Sequence, residues 1–332
     1  MSILHQIGNI PFLKLSKVTE GLDAEIYVKC EFLNPGGSIK DRMALRMIEG
    51  AEESGQLEQG GTIVDQSTGN TGSALAFVGA VKGYKVQLFL PAQLSSSYNP
   101  ADRIRIARLF GCKVTSIDLE DHIDNIEQLD RVEKAASFVA IRMKQCYDMQ
   151  KNDPTAWWAN QLCNPDNAKA HREGTGVEIL EQTDGKIDAW VTSIGTGGTL
   201  LGVAQTLKSA IPNLIVAGVL PTDDPRLEWV RSRAVHKALE KFGVPNQRFL
   251  IEDILEKNLL DYEIVVKNED AKNMADRLCQ EEGLFCGMSS GANVYAAIEM
   301  GKRLGKGSRI VTVLVDRRDR YFAEYPNEHY VV

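Results

Sequence analysis

The stretch Ala189-Trp190-Val191-Thr192-Ser193-Ile194-Gly195-Thr196-Gly197-Gly198-Thr199 decides the fold. Residues 189–194 form a largely apolar run of strand-forming side chains, as in a strand buried on both faces. Three glycines and two threonines then break the run, and Thr199–Ala210 continues as an amphipathic helix. Strand, glycine turn and helix in that order are the building unit of parallel sheets. The alternation repeats on both sides. Predicted strands are Glu25–Lys29, Thr62–Asp65, Val86–Leu90, Lys113–Ile117, Leu214–Leu220, Ile264–Val266 and Arg309–Val315. Predicted helices are Asp41–Ser54, Thr71–Lys82, Ala101–Phe110, Ile126–Cys146, Ala168–Gln182, Glu269–Glu282 and Ala292–Leu304. The strands fall into two sets, one before about residue 120 and one after about residue 185, which predicts two α/β domains with a cleft between them. Asn152-Asp153-Pro154 is a turn signal at their boundary.

The chain has 332 residues, enough for about two domains. Hydrophobic residues make up 43% and charged residues 25%, which excludes wholesale disorder. Against 38 Lys and Arg stand 45 Asp and Glu, a net charge of −7. That balance argues against a dominant nucleic-acid or anionic-membrane surface. No apolar run is long enough to span a bilayer, and Met1–Gln6 lacks the pattern of a secretory signal. The six cysteines form no C-x-x-C pair and the histidines show no metal-ligand spacing, so reduced thiols and no metal site are expected. Together these features predict a soluble cytoplasmic protein.

Three stretches carry chemistry. Asn34-Pro35-Gly36-Gly37-Ser38-Ile39-Lys40-Asp41-Arg42 follows a strand and opens a helix. Ser38 and Asp41 have the spacing of a capping box, which places Lys40 in the first helical turn. The positive end of the helix dipole disfavours an ammonium there and favours the neutral amine that a Schiff base requires. Taken alone, a surface lysine after a glycine turn explains the stretch as well. Ser67-Thr68-Gly69-Asn70-Thr71-Gly72 offers hydroxyls and backbone N–H groups at a helix start, suited to a carboxylate or a phosphate. Gly195–Thr199 offers the same to a phosphate. It lacks both the dinucleotide fingerprint and the Gly-Lys-Ser/Thr end of a P-loop, so a single phosphate fits better than a dinucleotide or a nucleoside triphosphate.

In this order the three stretches resemble the fold-type II pyridoxal-phosphate enzymes of the cysteine synthase and cystathionine β-synthase family. Ile7-Gly8-Asn9-Ile10-Pro11, Gln161-Leu162-Cys163-Asn164-Pro165 with His171 and Gly174-Thr175-Gly176, and Gly287-Met288-Ser289-Ser290-Gly291-Ala292 extend the resemblance along most of the chain. It implies two open, mostly parallel twisted-sheet domains, like the tryptophan synthase β fold, with pyridoxal 5'-phosphate in the interdomain cleft. The smaller, mobile domain would be 41–153, and 1–40 with 154–332 would form the larger domain carrying the phosphate loop. Lys40 would hold the cofactor as an internal aldimine and later move the Cα proton. Asn70 would bond its phenolic oxygen, and Gly195, Thr196, Gly197, Gly198 and Thr199 would cradle its phosphate. Ser67, Thr68, Asn70, Thr71 and Gln161 would bind the amino-acid carboxylate. The implied chemistry is β-replacement or β-elimination on a serine- or cysteine-derived amino acid through an α-aminoacrylate. Cysteine synthase, using O-acetylserine or O-phosphoserine with sulfide, heads the expectations. A cysteine desulfhydrase, a diaminopropionate-type synthase and a non-catalytic pyridoxal-phosphate homologue are the alternatives. A homodimer and a serine acetyltransferase partner complete them.

Three departures from the family bear on substrate. Arg317 stands where the family places a serine facing the pyridine nitrogen, and a guanidinium accepts no proton. Residues 91–111 form a longer segment that includes Ser95-Ser96-Ser97-Tyr98-Asn99-Pro100. Between Pro221 and Gly243 no glycine replaces the family's glycine-rich entrance loop. There Asp223 or Asp224 could activate water, and Arg226, Arg231 or Arg233 could meet an anion; a turn followed by a solvated helix is the plainer alternative.

Overall fold

A computed structural model describes residues 2–92, 100–118, 122–123, 126–222 and 224–324, the last without its side chain. Ser95–Asn99, Asp223 and the tail beyond residue 324 lie outside the described residues. Strands are β1 (Phe12–Lys14), β2 (Glu25–Lys29), β3 (Thr62–Asp65), β4 (Lys85–Pro91), β5 (Lys113–Ile117), β6 (Ala156–Trp158), β7 (Ala189–Ser193), β8 (Ile215–Pro221), β9 (Tyr262–Val266) and β10 (Arg309–Val313). Helices are α1 (Lys40–Glu53), α2 (Asn70–Lys82), α3 (Ala101–Leu109), α4 (Arg131–Asn152), α5 (Pro165–Ala170), α6 (Gly176–Gln182), α7 (Gly198–Ala210), α8 (Arg226–Arg231), α9 (Ala234–Lys241), α10 (Leu250–Glu256), α11 (Asn268–Glu282) and α12 (Met288–Leu304).

The chain forms two compact units. As far as they are described, the first holds residues 2–46, 165–222 and 250–318, and the second holds 47–164, 224–249 and 319–324. This corrects the division read from sequence. Residues 224–249 group with the second unit because α8 and α9 pack on α4, and residues 319–324 group with it as well. The first unit has a six-stranded sheet in the order β1-β2-β10-β7-β8-β9, parallel except for β1. Its strands bury Ile26, Val28, Val191, Val219 and Ile310 against Leu278, Val294 and Ala297 of α11 and α12. The second unit has an all-parallel sheet in the order β5-β4-β3-β6. β1 and β6 have three residues each, too short for a periodicity signal in the sequence. Within the predicted helix Ala168–Gln182, residues His171–Thr175 form a wider π turn between α5 and α6.

A buried charge network fixes the start of α1. The Arg42 guanidinium forks onto Glu31, with Nε and Nη2 each donating at 2.8 Å. It forks again onto Glu178, at 2.6 and 2.8 Å. Lys29, fully buried, places its Nζ 2.6 Å from the same Glu178 and donates to the Ile10 carbonyl at 2.6 Å. Glu178 also accepts the backbone N–H groups of Asn9 and Ile10 at 3.0 and 3.1 Å. Two cations thus face two carboxylates, and the N-terminal residues, β2, α1 and α6 meet at one point. Burial alone would raise the Glu178 pKa, but the bonds and charges of Arg42 and Lys29 outweigh it and hold the carboxyl at about 2.

Glu178→Gln leaves two buried cations over one carboxylate and should cost about 3 kcal/mol or more near neutral pH. Glu178 is depressed in the folded state, so its stabilisation is present above its ordinary value of 4.5 and lost as pH falls toward about 2. Urea unfolding between pH 6 and pH 2 should show wild type and variant converging on the acid side. Parallel curves would remove Glu178 from the network's energetics.

Candidate functional site

In the first unit the chemistry-bearing residues gather at the carboxyl ends of adjacent parallel strands. β2, β10 and β7 are neighbours in the sheet, and they lead into the Lys40 segment, the Arg317 segment and Gly195–Thr199 respectively. The carboxyl edge of a parallel sheet is where α/β folds bind ligands, because the chain leaves the strands there in loops and helix N-termini. Backbone bonds tie the loops together. Ile39 N–H donates to the Val315 carbonyl at 2.9 Å, and Arg317 N–H donates to Gly37 at 3.1 Å. Ser38 and Asp316 form an isolated antiparallel bridge. Asn293 of α12 accepts from Ser193 N–H at 2.7 Å and donates to the Val313 carbonyl at 2.9 Å, joining the ends of β7 and β10.

Lys40 is the first residue of α1 and is half-buried. The expected capping box does not close. The Ser38 hydroxyl accepts from Lys40 N–H at 3.2 Å, whereas the Asp41 carboxylate turns back to Gly36 N–H at 2.6 Å. Gly195 is exposed with open space beside its Cα, and Thr196, Gly197, Gly198 and Thr199 are buried around the start of α7. Gly197 caps that helix at φ 94°, a left-handed conformation that favours glycine. A Cβ on Gly198 would lie 2.0 Å from Asn167 Oδ1. The loop therefore presents backbone N–H groups and hydroxyls at a helix N-terminus, with open space at Gly195, a donor set that fits a phosphate group. Asn167 Nδ2 bonds Thr196 Oγ1 at 2.9 Å and His171 Nε2 lies 3.3 Å from Thr199 Oγ1. Asn167 escaped the sequence reading, and its four-residue spacing to His171 on one helical face is the signal that could have marked it. The Arg317 side chain is exposed.

The second unit repeats the arrangement. β3 leads into Ser67–Thr71 and its neighbour β6 into Gln161. Gln161 Nε2 donates to the Gln66 carbonyl at 3.0 Å, and Trp158 Nε1 donates to Gln66 Oε1 at 3.0 Å. Ser67 Oγ accepts from Gly69 N–H at 3.3 Å and Gly72 N–H at 3.0 Å. Ser67, Thr71 and Gln161 are buried, while Thr68 and Asn70 are half-buried. Arg320, 3% exposed, donates from Nη1 to Asn70 Oδ1 at 3.0 Å. No sequence signal could join residues 250 positions apart. Asp224 accepts from Arg226 N–H at 2.9 Å and pairs with its guanidinium at 2.9 Å, so it holds the start of α8. A cavity of about 570 Å³ lined by α4, α8 and α9 residues in this unit includes none of the predicted site residues. Among the described residues no group of His, Cys, Asp or Glu could hold a metal, and no helix is long and apolar enough to cross a membrane.

The chain is similar to known proteins over most of its length. A family model described as "Pyridoxal-phosphate dependent enzyme" matches residues 3–316. The chain is 35% identical over 331 residues to a cystathionine beta-synthase of Dictyostelium discoideum, covering 100% of this chain but 62% of that protein. It is 36% identical over 323 residues to a cysteine synthase of Staphylococcus aureus, covering 97% of this chain and 95% of that one. A solved structure of a hydrogen sulfide-producing enzyme from Fusobacterium nucleatum shares 31% identity with a TM-score of 0.78, over 96% of this chain and 99% of that chain. The chain thus spans about 62% of the length of the Dictyostelium protein.

Beneath the second unit's loop lies a testable charge. Asp65, fully buried, accepts from Gln66 N–H at 2.9 Å, and burial pushes its pKa up from 3.8 to about 7 despite that bond. The folded state then keeps a proton that the unfolded chain releases, so stability is lost as pH rises from about 4 through about 7. Asp65→Asn keeps the accepting oxygen and removes the charge. It should leave stability near pH 4 little changed and raise it above pH 7, by up to roughly 4 kcal/mol. Equal effects in urea titrations at both pH values would count against a buried proton.

Proposed function

The chain belongs to the pyridoxal-phosphate dependent enzyme family, and from that premise we propose that it catalyses β-replacement on a serine-derived amino acid, as a cysteine synthase using O-acetylserine or O-phosphoserine with sulfide. The observation that carries this reading is the placement of Lys40 and the Gly195–Thr199 loop at the ends of β2 and β7, with only β10 between them. When bound, the cofactor supplies an electron sink for the substrate Cα. Lys40 would carry the cofactor through Nζ and would take and return the Cα proton. Thr196, Thr199 and the N–H groups at the start of α7 hold the phosphate without spending a cation. Ser67, Thr68, Thr71 and Gln161 receive the substrate carboxylate. Ser67 suits that task because both lone pairs of its hydroxyl are engaged by N–H donors, which leaves its hydrogen to give. Asn70, whose Oδ1 accepts from Arg320, would bond the cofactor's phenolic oxygen. Acidic net charge, a homodimeric assembly, a cytoplasmic setting and a serine acetyltransferase that supplies acetylated substrate are consistent parts of this reading.

Arg317 favours a second reading. A guanidinium beside the pyridine ring donates only, and it would weaken the ring as an electron sink. Loss of a leaving group is then favoured over chemistry that stores negative charge. Cysteine itself becomes a substrate, with release of sulfide, in line with the name of the Fusobacterium neighbour.

Protein loaded with pyridoxal phosphate should absorb in the visible range, and Lys40→Ala should abolish that band together with turnover. O-acetylserine, O-phosphoserine and cysteine, each with and without sulfide, should separate the readings by product. Cysteine formed from either ester supports the synthase, and sulfide from cysteine alone supports the lyase. A band that persists in Lys40→Ala sinks both.

A further inference from the structure

We propose that Asn167 and His171 are positioning residues that aim the hydroxyl hydrogens of Thr196 and Thr199 at the cofactor's phosphate; the proposal rests on the reading given above for the Gly195–Thr199 loop. A threonine hydroxyl has one hydrogen to donate and two lone pairs that accept. Which of these faces a ligand depends on what the scaffold has already taken. At Thr196 the scaffold takes the lone pairs: Asn167 Nδ2 donates to Oγ1 at 2.9 Å, and Gly198 N–H donates to it at 3.4 Å. The capacity left to Thr196 is its O–H, the form an anion requires. Asn167 is fully buried, so its amide makes this bond away from competing water.

His171 treats Thr199 in the same way. Its ring is fully buried, with Nδ1 3.0 Å from Thr175 Oγ1 and Nε2 3.3 Å from Thr199 Oγ1. Burial, reinforced by the positive charges of Lys40 and Arg42, holds the imidazole well below its usual pKa and therefore neutral. A neutral imidazole donates at one nitrogen and accepts at the other. With Thr175 O–H donating to Nδ1, Nε2–H donates to Thr199 Oγ1 and the Thr199 hydrogen turns outward. The opposite tautomer would consume that hydrogen on the ring. A hydroxyl bond to a phosphate dianion is charge-assisted and outweighs one to a neutral ring, so a bound phosphate selects the first arrangement. The local backbone supports this. Asn167 and His171 are four residues apart on one face, and the π turn His171–Thr175 begins at the histidine itself. A neutral second layer also avoids a conflict. A charged imidazolium here would sit unpaired in the core beside Lys40 and Arg42.

The test compares two ligands that differ only in the group at issue. Apo-protein is titrated with pyridoxal 5'-phosphate and, separately, with pyridoxal, which has the same ring and aldehyde without the phosphate. Asn167→Leu and His171→Phe should each weaken the phosphate ester's affinity about 10- to 100-fold. Pyridoxal affinity should stay close to wild type. His171→Gln, which retains an N–H donor, should recover most of the loss. In a Thr196→Val background Asn167→Leu should cost little more, because its partner is already gone. Equal weakening for both ligands would assign the two residues to packing and overturn the proposal, as would full additivity with Thr196→Val. Should Asn167→Leu fail to fold by circular dichroism, Asn167→Asp replaces it; this variant offers Thr196 only acceptors, and retained phosphate preference overturns the proposal too. A wild-type protein with no preference for the phosphate ester over pyridoxal would instead sink the reading of the loop itself.

Discussion

The four-charge cluster of Lys29, Glu31, Arg42 and Glu178 constrains the start of α1, from which Lys40 leaves the first unit's sheet edge. Arg42 lies two residues beyond Lys40 in the first turn of α1, and its guanidinium is forked onto both carboxylates. The planar fork fixes direction as well as distance, which a lysine ammonium could not do. Lys40 therefore leaves a helix end whose rotation and height above the sheet are set from below. Glu31 and Glu178 each serve several donors, so every group in the cluster is oriented by more than one bond. Buried charges cost heavily unless matched in this way. That explains why Gly8 N–H and the Asn34 amide also converge on the cluster: Asn34 accepts from Gly8 and donates to Glu31.

Much of this was legible in the sequence, for identifiable reasons. β7 and β10 lie in a parallel sheet buried on both faces, so they read as nearly continuous apolar runs, and the glycine turn after β7 marked the helix start. The carboxyl-edge placement of Lys40 and Gly195–Thr199 follows from strand–turn–helix order alone. What stayed hidden depends on neighbours far along the chain. Residues 224–249 carry ordinary helical signals, and nothing local says that they pack on α4. The Ser38 and Asp41 spacing suggested a reciprocal cap, yet Ser38 is paired with Asp316 and Asp41 bends back to Gly36. The Arg320–Asn70 bond has no local signature, because the two residues meet only through the tertiary fold.

Each unit arms its loop by the same device, one that periodicity cannot reveal. In the second, backbone N–H groups fill the lone pairs of Ser67; in the first, Asn167 and a backbone N–H fill those of Thr196. Both hydroxyls are left as donors before any ligand arrives. A free hydroxyl rotor would have to be frozen on binding, at a cost in entropy that preorganisation removes.

That device lets a loop that itself contains no Lys or Arg suit an anion. Gly195–Thr199 contains no Lys or Arg, and the nearby charges of Lys29 and Arg42 are already matched by carboxylates. On the proposed reading, affinity for a phosphate falls to oriented dipoles: the N-terminus of α7, its N–H groups and two threonine hydroxyls. Dipoles favour an anion only in the right orientation and do the opposite when turned round, whereas a charge attracts from any angle. A loop built on dipoles needs a rigid layer beneath it that fixes every rotor. A cationic phosphate clamp close to Lys40 would help its ammonium to deprotonate, but it would also compete with the substrate carboxylate's own partners for the same anion. Neutral donors would suit a phosphate without adding a charge beside Lys40.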